Sequence, residues 1–117
     1  MKNFVGQWGE QHVQQYIKKM GWKVIALNFH SRFGEIDIIA KDHNEIVFIE
    51  VKTRTDHSFG EPQEAVTKKK LQKMLKTAEW YLLQTKQEKV PYRFDVFSVF
   101  EKDGIVTVEH FPNVSLL

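Results

Sequence analysis

The chain predicts an α/β domain: a helix, three strands, a second helix and two further strands, built into a mixed sheet flanked by helices. Two observations carry that expectation. Apolar residues recur at helical spacing in two stretches, and short β-branched and aromatic runs bounded by polar turns lie between and after them. A third observation is size. With 117 residues and 42% hydrophobic content, the chain has the length of one ordinary domain and can bury above about 60% of its unfolded surface, so residues 1–117 read as a single unit.

From about Asn3 to Met20, the residues Gly6, Gly9, Val13, Tyr16, Ile17 and Met20 share one side of a helical wheel, and Gly21 ends the pattern. Gly6 and Gly9 weaken helix propensity, a loss that close packing on a neighbour would offset. Trp22 to Phe29 reads as a strand of mixed alternation. Phe33 to Ala40 and Ile46 to Thr53 read as antiparallel strands joined by the polar turn Lys41-Asp42-His43-Asn44-Glu45. A loop from Thr55 to Pro62 follows. Glu64 to about Gln87 is a long helix whose apolar stripe is Leu71, Leu75, Ala78 and Leu82, with Lys69, Lys73 and Lys76 on the opposite side. Beyond Pro91, Tyr92 to Phe100 and Ile105 to Phe111 read as two strands around Glu101-Lys102-Asp103-Gly104. The helix between the third and fourth strands is long enough for a crossover, which makes those strands parallel neighbours.

Seventeen basic against fifteen acidic residues leave a net charge of only +2, so any basic patch must be local. Cysteine is absent, which removes disulfides, thiolate metal sites and cysteine nucleophiles and fits a reducing compartment. The first ten residues turn polar before a signal-peptide core could form, and no run approaches the roughly 18 apolar residues of a membrane span. The expectation is a cytoplasmic protein with no membrane partner.

Charge inside the two central strands is the informative feature. Gly34-Glu35-Ile36-Asp37-Ile38-Ile39-Ala40 and Val47-Phe48-Ile49-Glu50-Val51-Lys52-Thr53-Arg54 place an Asp, a Glu and a Lys in otherwise apolar runs, where an unpartnered charge costs several kcal/mol. Alternation puts Phe48, Glu50 and Lys52 on one face, and sets Asp37 and Ile39 opposite Ile36 and Ile38. The hairpin can bring Asp37 beside Glu50, where two carboxylates repel unless a cation lies between them. Few oxygen ligands with room for water and phosphate oxygens suit Mg²⁺. A neighbouring lysine can orient or deprotonate water and stabilise charge building on a phosphate. Glu10, at the edge of the first helix's stripe, points toward the sheet and either offers a third carboxylate or is a solvated residue of the N-terminal helix. The plain alternative is an exposed strand face with a cross-strand ion pair.

Asp37…Glu50-Val51-Lys52 resembles the core signature of the PD-(D/E)XK nuclease superfamily, whose restriction-endonuclease-like core has the same α-β-β-β-α-β order; here a C-terminal strand is added. More narrowly, Gly9-Glu10, Asn28-Phe29, Gly34 to Ala40, Phe48 to Arg54, Phe59-Gly60 and Arg93-Phe94-Asp95-Val96 resemble the YraN family of predicted endonucleases, similar to archaeal Holliday-junction resolvases. The resemblance runs from about Gly6 to Val99. It departs at Val13, where that family often has alanine, and at His30, where it often has arginine. It implies phosphodiester hydrolysis of branched or junction DNA with Mg²⁺ or Mn²⁺, with Asp37, Glu50 and the carbonyl of Val51 as metal ligands. Lys52 would stand at the attacking water and Glu10 would be an accessory acid. Symmetric cleavage of a junction would need two subunits, hence a homodimer. The rival expectation is a non-catalytic nucleic-acid-binding or scaffold module that keeps the fold.

The remaining charged residues leave alternatives open. Lys68, Lys69, Lys70, Lys73 and Lys76 form either a solvated face or a track for phosphates; Lys69, Lys73 and Lys76, with Arg54 after the motif strand, are the candidate DNA contacts. Trp80, on the lysine side, can stack on a base, form a dimer patch or be covered by the following segment. Glu35 reads as a turn or solvent residue, and Asp95 as an acceptor of structural hydrogen bonds. His12, His30, His43, His57 and His110 show no metal-ligand spacing and read as surface or turn residues.

Overall fold

The structure is a computed structural model that describes residues 4–54 and 67–115. The expected loop from Thr55 to Pro62, with His57 and the Phe59-Gly60 motif, lies outside the described residues. The element order is α1 (Phe4–Lys19), β1 (Lys23–Ser31), β2 (Gly34–Asp42), β3 (Glu45–Arg54), α2 (Lys68–Gln84), β4 (Tyr92–Lys102) and β5 (Ile105–Phe111). It matches the restriction-endonuclease-like α/β order expected, with β5 as the added strand.

The five strands lie in one sheet in sequential order. Neighbours pair antiparallel except β3 and β4, which run parallel with Glu50 beside Val96 and Lys52 beside Ser98. The helical connection between β3 and β4 explains that pair, since a parallel return needs a crossover. The two polar turns read from the sequence are tighter than expected. Asp42 pairs with Glu45 across His43-Asn44, and Lys102 with Ile105 across Asp103-Gly104. Asp103 and Gly104 both take positive φ, 53° and 78°, the conformation for which Asp-Gly is favoured.

One helix packs on each face. On the α1 side Val13 and Ile17 meet Ile38, Ala40, Val47, Ile49, Phe97 and Val99, with Trp22 closing one end. On the α2 side Ala78, Tyr81 and Leu82 cover Ile36, Ile39, Ile46 and Phe48. Gly9 lies so close to β3 that a Cβ there would collide with the side chain of Thr53. Tyr16 and Met20, assigned to the buried stripe by their spacing, are instead 38% and 42% exposed, Tyr16 keeping an edge contact with the Phe97 ring.

α2 differs from expectation at its ends and in its azimuth. Thr67 is its N-cap, the hydroxyl accepting Lys70 N–H at 3.1 Å, so the helix starts at Lys68 and stops at Gln84; residues 64–66 of the expected helix are outside the described ones. Its buried line is Leu71, Met74, Thr77, Ala78, Tyr81 and Leu82, with Leu75 only half-buried. Thr77 is buried because its hydroxyl donates to Lys73 O and meets Ser31 Oγ at 3.1 Å, tying the β1–β2 turn to the helix.

Candidate active site

β2 and β3 separate at the position of the motif. Their paired register ends at Ile38 and Ile49, although both strands run on. Asp37 occupies the fork, where its Oδ2 accepts the backbone N–H of Val51 at 2.8 Å, doing the work of a ladder carbonyl. Across the sheet, Asn28 of β1 adopts a left-handed φ of 49°. The alternation of β2 breaks here: Ile36 packs on the α2 side with Ile39, not with Ile38 as strict alternation required. A positive φ in the neighbouring strand twists that end of the hairpin away from the regular pleat.

Asp37 and Glu50 are each only 5% exposed, and the α2-side face of β3 carries Glu50 and Lys52 as alternation predicts. Glu50 Oε1 accepts from Lys70 Nζ at 2.6 Å and has Lys52 Nζ at 3.6 Å. Burial, then the nearby Asp37 carboxylate, raise the pKa of Glu50; the Lys70 hydrogen bond and charge oppose the rise without cancelling it. Lys52 is pushed down from the usual lysine value, first by burial and further by the Lys70 charge, with Glu50 pulling the other way. For Lys70 burial also works downward, but the hydrogen bond and charge of Glu50 outweigh it and the net direction is up.

Lys70, which the sequence places either on a solvated face or along a phosphate track, instead turns inward to Glu50. A signal existed: counting from Lys70, Met74, Thr77, Ala78 and Tyr81 fall at i+4, i+7, i+8 and i+11, so it heads the buried line. The buried stripe of α2 runs through Met74 and Tyr81, an azimuth set by the packing of the helix on the sheet.

Lys69, Lys73 and Lys76 stand exposed along α2, whereas Arg54 sits apart from them, lining a pocket with Phe4, Val5 and Trp8 at the start of α1. Glu10 is buried on α1, the helix that covers the other face of the sheet. Among the described residues no three His, Cys, Asp or Glu side chains converge as a metal-binding group, so Asp37 and Glu50 stand as a pair. That pair suits a hard cation: two buried oxygen donors whose mutual repulsion a positive charge relieves. Glu35 is half-buried and lies 3.4 Å from the exposed His30.

The second charged cluster is structural. Asp95, fully buried, accepts from Arg93, from His110 Nε2 at 2.7 Å and from Asn113 N–H at 2.9 Å. Arg93 also binds Asp42 and Glu45, fastening β4 to the β2–β3 turn. His110 is no surface residue: its ring stacks on Phe97 at 4.2 Å. Burial alone would raise the Asp95 pKa, but the hydrogen bonds of His110, Arg93 and Asn113 bring it below the usual value.

Residues 9–99 match the family model described as "Uncharacterised protein family UPF0102". The chain belongs to UPF0102. This is the YraN family that its motifs resemble. Among its relatives, a UPF0102 protein of Syntrophomonas wolfei is 41% identical over 113 residues, 97% of this chain and 98% of that one. One of Caldanaerobacter subterraneus is 43% identical over 115 residues, covering 96% of this chain and 94% of its own. One of Clostridium botulinum is 47% identical over 96 residues, 81% of this chain and 78% of that protein. The matched span of UPF0102 begins at Gly9, which packs on Thr53, and ends within β4, so it takes in Glu10, Asp37, Glu50, Lys52 and Lys70. Among the described residues, no helix is long and apolar enough to cross a membrane.

Proposed function

We propose that this UPF0102 protein is a metal-dependent endonuclease that hydrolyses phosphodiester bonds of branched or junction DNA, using Mg²⁺ or Mn²⁺. The observation that carries the reading is the fork, where two carboxylates share one buried spot with the Lys52 ammonium 3.6 Å from Glu50. Asp37, Glu50 and the carbonyl of Val51 are the groups that would hold the ion. When bound, the ion supplies Lewis-acid polarisation of a phosphate oxygen and a more acidic water.

The chain's own residues do the rest. Asp37 is oriented by the Val51 N–H, which fixes its carboxylate relative to β3. Lys52, half-buried, orients a water nucleophile; its lowered pKa makes the neutral amine, the form that can accept the water's proton, easier to reach, and the ammonium so formed offsets negative charge growing on the phosphate. Lys70 holds Glu50 in a defined rotamer. Glu10 acts as an accessory acid from α1, and Lys69, Lys73, Lys76 and Arg54 contact phosphates. Because one site cuts one strand, symmetric cleavage of a junction uses a homodimer.

The test is purified protein with Mg²⁺ or Mn²⁺ on duplex, flap and four-way-junction DNA, beside Glu50→Ala and Lys52→Ala. Metal-dependent cleavage of the branched substrates, lost in both variants, is the expected result. Cleavage that is absent, or that survives both substitutions, leaves the non-catalytic binding module as the better description.

A further inference from the structure

We infer that the groove beside Trp80 is a binding site for an unpaired nucleobase, reached from the Glu50–Lys70 pair along a basic ridge of α2. The inference rests on the chain acting on nucleic acid and says which part of it is gripped. Lys69, Lys73, Lys76, Trp80 and Leu83 follow at i, i+4, i+7, i+11 and i+14, one ridge of the helix, and all are exposed. At the helical rise, Lys69 and Trp80 are about 16 Å apart.

The β1–β2 turn closes over this ridge. Phe33 of that turn has Arg32 Cζ 5.0 Å and Lys76 Nζ 5.7 Å from its ring centroid. The Ser31–Thr77 hydrogen bond holds the turn in place. Between turn and helix lies a groove of about 540 Å³ whose apolar walls are Phe33, Trp80, Leu83 and Tyr92, with Lys76, Glu79 and Glu88 at its polar edge. A smaller pocket shares Phe33 and Trp80 with it. A third lies over Gly34, Lys69 and Lys73 and includes Lys70, the residue bonded to Glu50. The surface is thus graded: cations beside the buried carboxylates, then aromatic rings with the carboxylates of Glu79 and Glu88 beside them.

That gradient selects the occupant. Phosphates suit the lysine end and are repelled by Glu79 and Glu88. A nucleobase presents a π-face to Trp80 and Phe33, and exocyclic amino groups that a carboxylate can accept. The base must be unpaired, because a base in a duplex has both faces stacked and its edge engaged. With one charge per about 3.4 Å of strand, the ridge spans about four or five stacked nucleotides, placing the gripped base near a branch, gap or flap. Trp80, 42% exposed, also gains a partner that shields its ring.

The experiment measures fluorescence anisotropy of labelled DNA in a Glu50→Gln background that prevents cleavage. A duplex with a short single-stranded flap is compared with the same duplex blunt-ended. Trp80→Ala is expected to weaken flap binding about tenfold and blunt-duplex binding less than about twofold, and Trp80→Phe to restore most of the loss. Equal weakening on both DNAs, no weakening, or no flap binding before Trp80 is changed overturns the site. So does a shift from dimer to monomer in sedimentation velocity on Trp80→Ala, which would make this face a contact between copies. A protein that cuts nothing yet keeps Trp80-dependent flap selectivity loses the nuclease reading and retains the base site. One that cuts branched DNA without that selectivity does the reverse.

Discussion

Lys70, from the first turn of α2, donates to Glu50 Oε1 at 2.6 Å, closer than Lys52 from the same strand as Glu50, whose Nζ stands at 3.6 Å. The carboxylate that anchors the motif is therefore neutralised mainly by a residue outside the motif. Removing the partner of a buried charge destabilises, but Lys70 is itself 39% exposed, so solvent screens part of the effect. Lys70→Met should lower stability by about 1 kcal/mol at pH 8 and by much less at pH 4, where Glu50 is protonated. Urea titrations of the two proteins at both pH values check this; equal losses at the two would refute it.

Asp37 has a structural duty besides its proposed metal contact. Its carboxylate satisfies the Val51 N–H where the β2–β3 ladder stops. Leaving a buried N–H unsatisfied costs about 1–3 kcal/mol. Asp37→Ala should be destabilised by that amount, Asp37→Asn by less than about 1 kcal/mol because its amide oxygen can still accept, and both should lose metal-dependent cleavage. Hydrogen exchange at the Val51 amide, faster in the alanine variant alone, distinguishes the structural role from the chemical one.

Gly9 permits the approach of α1 to β3. A methyl group there meets the Thr53 hydroxyl, and overpacking of this kind costs about 1–3 kcal/mol. Gly9→Ala should be destabilised, and Thr53→Ala should recover most of the loss in the double variant. A double-mutant cycle on unfolding free energies reads the coupling; independent, additive effects would place the strain elsewhere.

Two buried carboxylates give opposite pH behaviour. Glu50 has a raised pKa, so its contribution to stability is fully present below its unfolded value near 4.5 and is lost as pH rises through the folded value. Asp95 has a lowered pKa, so its contribution is present above its unfolded value near 3.8 and is lost as pH falls through the folded value. Glu50→Gln should accordingly gain stability relative to the unmodified chain between pH 4 and pH 8. Asp95→Asn should lose about 3 kcal/mol at pH 7, shrinking in strong acid. Thermal melts across that pH range decide; parallel pH profiles for the two variants would contradict both assignments.

Much of the architecture follows from local pattern. Ile105–Phe111 alternates between Asp-Gly and Pro, and the observed strand has those bounds because turn chemistry is local. The shared face of Glu50 and Lys52 follows from the strand period of two, and the buried, hydrogen-bonding character of Asp95 from a lone carboxylate in an apolar strand. The inward position of Lys70, the α2-side packing of Ile36 and the placement of His110 against Phe97 do not. Each depends on how one element is rotated or twisted against another.

The sequence by itself determined the element order, the parity that unites Glu50 with Lys52, and the motifs that place the chain in its family, because periodicity and turn preference are properties of neighbouring residues. Only the tertiary structure decided that β2 and β3 fork at Asp37, that Lys70 completes the charged cluster and that Phe33 and Trp80 meet across a groove. Those are contacts between segments far apart in the chain. They are set by how the apolar faces of α2, β2 and β3 pack, and helix azimuth and strand twist emerge only when those faces are buried together.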